Sequence, residues 1–160
     1  MDRKDFNMAV ERLIAETLDL IPTELQPDLA CIPDAADVPD WHDFEHRIWK
    51  NGEAIRMLIH TERKNLNRAQ VCGILGICGN INAKRGRESF VMLLGKKEYA
   101  EYAPHIAELL NDRYVEGHAV YTLYKMGAAD YTAEIARFQT HKKSWIRNYA
   151  KKYIQKYGVN

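Results

Sequence analysis

The chain has 160 residues, 46% of them hydrophobic, with 23 basic and 22 acidic side chains and a formal net charge of +1. That is the length and balance of one soluble globular domain with a sizeable core. No apolar run reaches the roughly 20 residues a membrane span needs, the N-terminal Met1-Asp2-Arg3-Lys4-Asp5 lacks the apolar stretch of a secretion signal, and the three cysteines (Cys31, Cys72, Cys78) are an odd number without metal-ligand spacing, so a reduced, cytoplasmic setting is expected.

Residues 4–20 read as an amphipathic helix, because Phe6, Val10, Leu13, Ile14, Thr17 and Leu18 recur at helical spacing, and Pro22 stops it. Residues 22–42 form a Pro-rich acidic connection holding Pro22, Pro27, Pro33 and Pro39. Each proline removes a backbone donor and disfavours helix just before it, so an extended segment is expected. Its Leu25, Leu29, Cys31, Ile32 and Val38 predict that it packs down on the helices. Helix resumes near Asp43 with Phe44, Ile48, Ile55, Leu58 and Ile59, and Asn51-Gly52 marks an expected break.

Six further helices are predicted over about 66–78, 84–94, 98–111, 115–126, 130–140 and 144–157. Cys72 and Cys78 fall in the first of these, where free cysteine acts as a small hydrophobe. Asp130 and Ser144 read as N-caps, and Gly95, Gly127 and Gly158 as C-terminal glycines in the left-handed conformation. Gly73, Gly76 and Gly79 recur every three residues, and two helix-weakening glycines in one helix predict close backbone approach to a neighbour or, as the alternative, a ligand-contact surface.

The C-terminal two-thirds repeats itself with a period of 31 to 32 residues. Ala83–Gly95, Val115–Gly127 and Ile146–Gly158 align, with matching columns Val91, Leu123, Ile154 and Leu94, Met126, Tyr157. A second set lies between them: Val71, Ala103, Ile135 and Ile74, Ile106, Phe138. Two interleaved helical sets on one stride are the signature of stacked helix hairpins, which present surfaces for binding.

Ala103-Pro104-His105-Ile106-Ala107-Glu108-Leu109-Leu110-Asn111-Asp112, then Val115 to Gly127, then Tyr131 to Phe138, resembles the HEAT-like repeat family. That family sets a P-x-L-x-x-L-L-x-D helix before a V-R-x-x-A-x-x-A-L-x-x-[LM]-G helix. Ile146, Arg147, Ala150, Ile154 and Gly158 follow the second helix, as do Val115, Ala119, Leu123, Met126 and Gly127, with Glu116 where arginine is usual. The resemblance covers about residues 66–158. It implies an α-solenoid that binds a macromolecule, with an inner face formed by 66–78, 98–111 and 130–140. A subset of the family excises alkylated bases from DNA in a basic groove bearing Trp, Asp and Arg. Trp145 and Arg147 stand near the basic end of this chain, while Glu101, Glu108 and Glu134 on the candidate inner helices oppose phosphate.

Charge is unevenly placed. Residues 1–50 hold 12 acids and 5 bases, a net of −7, whereas residues 141–160 hold 6 bases and no acid. Such polarity steers a charged partner, or folds one end on the other. Trp145, Tyr149, Tyr153 and Tyr157 recur every four residues among Lys142, Lys143, Arg147, Lys151, Lys152 and Lys156. This is either a stacking-plus-charge surface or a capping helix with aromatics packed inward, Trp145 and Tyr153 being the ones expected to be buried in part. Lys84, Arg85 and Arg87 open a helix and read as a solvated face or as part of a basic rim that grips phosphate. His105 and Arg137 share a column at spacing 32 and are expected to neighbour each other on the inner face. His42-Asp43-Phe44-Glu45-His46 fits H-x-x-E-H, yet no third zinc ligand is marked downstream, so an acidic first helical turn is the better reading.

The expectation is an all-α single domain over 1–160, comprising an N-terminal helix (1–21), the Pro-rich acidic connection (22–42) and HEAT-like repeats (43–158). The repeats would form a short right-handed α–α superhelix of helical hairpins. The expected function is non-catalytic binding of a protein partner, with no cofactor, metal or membrane involved. The alternative is nucleic-acid binding by the basic C-terminal helix and rim, extending to a DNA-glycosylase-like activity. The candidate binding residues are His105, Arg137, Trp145, Arg147, Tyr149, Lys152, Lys84, Arg85 and Arg87.

Overall fold

The structure, a computed structural model, describes residues 1–35 and 37–159; Ala36, inside the connection, and Asn160 lie outside the described residues. Among the described residues the chain is helical with no named strand, and its one β-bridge pairs Cys31 with Pro39. No helix is long and apolar enough to cross a membrane among these residues. The chain divides into two compact units, Met1–Phe90 and Val91–Asn160.

The first unit contains α1 (Arg3–Leu20), α2 (Asp43–Glu62) and α3 (Arg68–Cys78). Asp2 caps α1 by accepting the Asp5 N–H at 2.8 Å, and the apolar spacing buries Phe6, Val10 and Ile14. Thr17 joins that face because its hydroxyl donates to Leu13 O at 2.7 Å and accepts from Asn51 Nδ2 at 3.1 Å. Helix α1 packs on α2 and α3.

Helix α2 passes unbroken through Asn51-Gly52, contrary to the expected break. A methyl group at residue 52 would lie 2.0 Å from Ser89 Oγ, so the glycine serves a close approach rather than a turn. Helix α3 is closed by a reciprocal Asn67–Gln70 capping box, with side chain-to-backbone distances of 2.9 and 3.0 Å. Gly79 is the C-cap, and of the two glycines inside the helix Gly73 closely faces Ile14 while Gly76 faces open space, so the expected close approach holds at one of them. Cys78 is buried and Cys72 is exposed.

The helix expected over 84–94 is instead a 3₁₀ stretch, Ile81–Arg87, followed by the short α4 (Glu88–Leu93). Lys84 breaks the helix with φ 48° and ψ −133°. The connection before α2 is irregular as expected, but Leu25, Leu29, Cys31 and Ile32 are exposed rather than packed down. Its backbone is what the unit holds. Asn82 Nδ2 donates to Pro22 O at 3.1 Å, Lys84 Nζ to Gln26 O at 2.9 Å, and Arg85 to Pro39 O.

The second unit contains α5 (Ala103–Glu108), α6 (Glu116–Met126), α7 (Thr132–Ala136) and α8 (Ser144–Tyr157). Helices α6 and α8 match the expected ranges closely. The expected helices 98–111 and 130–140 are each a short α-helix flanked by 3₁₀ turns. Helix α5 packs on α6, α7 on α8, and α6 on α8. Most members of the aligned columns are core positions: Leu123, Met126, Ala103, Ile106, Ile135 and Phe138 are buried, while Ile154 and Tyr157 at the end of the first set are half-buried.

Gly127 ends α6 in the left-handed conformation (φ 73°). Its N–H donates to Tyr124 O at 3.2 Å and the Ala128 N–H to Leu123 O at 3.2 Å, the paired bonds of a Schellman motif. Gly158 is extended and Gly95 is not left-handed, so only one of three glycines plays the expected role. The expected N-caps also shift. Asp130 lies within a 3₁₀ turn, and Ser144 is the first residue of α8 after Lys143. The Tyr131 N–H is satisfied from outside its own helix, by the Tyr153 hydroxyl at 3.1 Å.

Candidate interaction surface

The contact between α6 and α8 is made by small residues. Ala119 and Ala150 are fully buried, and a methyl group at residue 117 would lie 2.4 Å from Ile146 Cδ1. Because the backbones come close, the larger side chains flanking the seam meet above it. Tyr149 of α8 stands edge-on to Tyr121 and Tyr124 of α6, with ring centroids 4.9 and 5.8 Å apart. At the N-terminal end of the seam His118 and Trp145 meet at 5.0 Å. Such pairs each add about 0.5–1.5 kcal/mol beyond the area they bury.

Exposed lysines rim these rings. Lys152 Nζ lies 5.0 Å from the Tyr149 centroid, Lys125 Nζ 5.6 Å from Tyr121, and Lys156 Nζ 5.6 Å from Tyr124 and 5.2 Å from Tyr157. An exposed cation–π contact contributes about 0.5–1 kcal/mol. No acid occurs in α8, so the field here is positive. The His118 imidazole is pushed down to about 4 by burial and by the Lys143 ammonium, which leaves it neutral at pH 7.

This surface gathers three of the sequence candidates: Trp145, Tyr149 and Lys152. Trp145 is 37% exposed, whereas Tyr153 is fully buried. Tyr121, Tyr124, Lys125 and Gly117 of α6 also belong to this surface, and helical spacing alone does not mark them. The repeat stride offers a signal for Lys125 alone, which stands 31 residues before Lys156.

The other candidates are placed elsewhere. Arg147 Nη1 donates to His141 O at 2.7 Å and Lys142 O at 2.9 Å, fastening the turn before α8. His105 is exposed on α5. Arg137 bonds to Leu110 O at 2.6 Å and Asn111 Oδ1 at 3.0 Å, so its guanidinium is spent on the end of the α5 segment.

A cleft lined by Leu110, Asn111, Glu116, Arg137, Phe138 and His141 lies beside that arginine. His141 Nδ1 accepts the Lys143 N–H at 3.0 Å, which places the ring proton on Nε2, 3.0 Å from the Glu116 carboxylate. Both nitrogens are thereby engaged.

The basic rim does not form at Lys84 and Arg87. Lys84 is 2% exposed and paired with Asp28 at 2.6 Å, and Arg87 is fully buried with bonds to Lys84 O at 2.7 Å and Cys78 O at 3.0 Å. Arg85 stacks on Trp41 at 5.1 Å, and its N–H donates to Glu45 Oε1 at 3.0 Å. In H-x-x-E-H, Glu45 is buried and also accepts the His42 N–H at 2.8 Å, while His42 Nε2 bonds Pro27 O at 2.8 Å. These residues build the helix start and hold the connection. Among the described residues no three His, Cys, Asp or Glu side chains converge as a metal site.

Comparison of the chain with protein-family models, with curated proteins and with solved structures returned no match.

Proposed function

We propose that this chain is a non-catalytic helical-repeat module, HEAT-like in its right-handed stacking of hairpins, that binds a protein partner through the α6–α8 face. The packing order supports the repeat reading. Two successive hairpins, α5–α6 and α7–α8, meet through their second helices, and Ala119 and Ala150, 31 residues apart, are both fully buried. One observation carries the binding reading: a braced group of tyrosines rimmed by exposed lysines, on a helix without an acid. Rigid aromatics lose little entropy on docking, and lysines at the rim select an acidic partner.

The same geometry favours protein over nucleic acid. A base needs an open ring face to stack on. Here the rings meet edge-on and lysine ammoniums lie over the faces of Tyr121, Tyr124 and Tyr149. A carboxylate pairs with those ammoniums without disturbing the rings.

The test is an NMR titration of the ¹⁵N-labelled chain with poly-L-glutamate and, separately, with a single-stranded oligonucleotide. The reading expects polyglutamate to shift amides around Tyr121, Tyr124 and Tyr149, and expects Lys152→Glu with Lys156→Glu to abolish the shifts. It fails if polyglutamate leaves those amides unmoved at low salt, or if the oligonucleotide alone moves them.

A further inference from the structure

We infer that the partner on the α6–α8 face is the acidic arm, residues 22–41, of a second copy of this chain. The inference rests on the protein-binding reading above and names its occupant. Besides Asp28, which is paired with Lys84, the arm carries Glu24, Asp34, Asp37 and Asp40 and no base, against the 6 bases and no acid of residues 141–160. It is also apolar on the outside: Leu25, Leu29 and Ile32 are 47%, 41% and 38% exposed. Acids beside exposed leucine and isoleucine are the complement of lysines beside half-buried tyrosines and an exposed tryptophan.

The arm is presented ready-made. Ile32 N–H donates to Val38 O and Asp40 N–H to Ala30 O, both at 2.9 Å, closing a small hairpin. Asn82, Lys84 and Arg85 hold its backbone from within the same unit. An element already fixed in shape loses less conformational entropy on docking than a free chain. An irregular, Pro-rich segment that keeps its backbone bonded while turning its aliphatic side chains to water fits a docking element better than a passive linker. Each copy has one arm and one face, so two copies can exchange arms reciprocally or further copies can add in a chain.

The test uses full-length protein in sedimentation velocity over a range of concentrations. The wild type is expected to grow in average mass with concentration at low salt and to return to monomer at high salt. An arm variant, Leu29→Ser with Ile32→Ser, and a face variant, Lys152→Glu with Lys156→Glu, are each expected to remain monomeric. Mixed in equal amounts they are expected to form a dimer and stop there, since the mixture contains one intact arm and one intact face. That recovery also shows that both variants are folded. The inference is overturned if the wild type stays monomeric at low salt, if either variant assembles as the wild type does, or if the mixture fails to dimerise. If the wild type stays monomeric while polyglutamate still shifts Tyr121, Tyr124 and Tyr149, the protein-binding reading stands and only the self-docking falls.

Discussion

The Lys84 ammonium lies 2.6 Å from the Asp28 carboxylate, with the lysine 2% exposed and the aspartate 25% exposed. Lys84 also donates to Gln26 O at 2.9 Å, so one buried cation fastens the arm at two points. It does so from a backbone at φ 48° and ψ −133°, a region L-residues rarely occupy. Sequence position 84 therefore combines two unfavourable features, a desolvated charge and a strained backbone, and the contacts to the arm offset both.

Replacing Lys84 by methionine keeps the volume and removes the charge. The Asp28 carboxylate and Gln26 carbonyl then lose a donor, and stability is expected to fall by about 1–3 kcal/mol. Urea denaturation measures the loss, and hydrogen exchange is expected to show faster opening across residues 26–40 than elsewhere in the first unit.

The backbone at this position gives a second expectation. Lys84→Ala and Lys84→Gly both delete the ammonium, but only glycine accommodates the positive φ. The glycine variant is expected to be more stable than the alanine variant by about 1 kcal/mol. The opposite order in paired denaturation curves would show that residue 84 carries no backbone strain.

At the α6–α8 seam, Gly117→Ala would push a methyl group to 2.4 Å from Ile146 Cδ1 and 2.9 Å from Trp145 Cη2. The helices must separate or Ile146 must leave its rotamer, at about 1–3 kcal/mol. A lowered Tm accompanied by a change in the near-UV aromatic signal is expected. An unchanged Tm would mean that the seam is looser than the structure shows.

The sequence makes the long elements legible and the short ones not. Helices α1, α3, α6 and α8 carry enough apolar residues at helical spacing to be placed within a few residues, and the repeat columns led by Val71 and Ile74 are indeed core. Over five or six residues the spacing does not distinguish 3.0 from 3.6 residues per turn, so 98–111 and 130–140 read as whole helices when they are mostly 3₁₀. The charges at Lys84 and Arg87 misled for another reason. A solvated face and a phosphate grip both presume exposure, whereas these side chains are drawn inward by the carbonyls of Gln26 and Cys78. Tyr149 and Lys152 of the α8 surface stand out in the aromatic and basic spacing of residues 142–157. Their partners on α6 do not, because the meeting depends on how closely Gly117 lets the helices approach.

His118 sets a pH dependence. Its folded-state pKa, about 4, lies below the roughly 6.5 of an unfolded histidine, owing to burial first and Lys143 second. As pH falls from 6.5 toward 4 the unfolded chain binds a proton at this residue that the folded chain refuses. Stability is therefore lost in that window, by at most about 1.4 kcal/mol per pH unit. His118→Gln is expected to flatten the fall in Tm between pH 6.5 and 4.5, and an unaltered slope would assign the acid sensitivity to other groups.

The three thiols are expected to react in two classes. Cys31 and Cys72 are exposed, while burial pushes the Cys78 thiol up to about 12 despite the nearby Arg87 guanidinium. Under native conditions two thiols should titrate quickly with a disulfide reagent, and the third should follow only on adding denaturant. Three fast thiols would show that α3 opens readily.

The fully buried Tyr153 donates its hydroxyl to Ala128 O while accepting the Tyr131 N–H, so one phenol ties the last helix to the turn that follows Gly127. A reagent that nitrates tyrosine reaches this ring only when the C-terminal helix lifts away. Tyr153 thus acts as a built-in clock for the breathing of that helix, and its rate of nitration reads out how often the surface beside it comes apart.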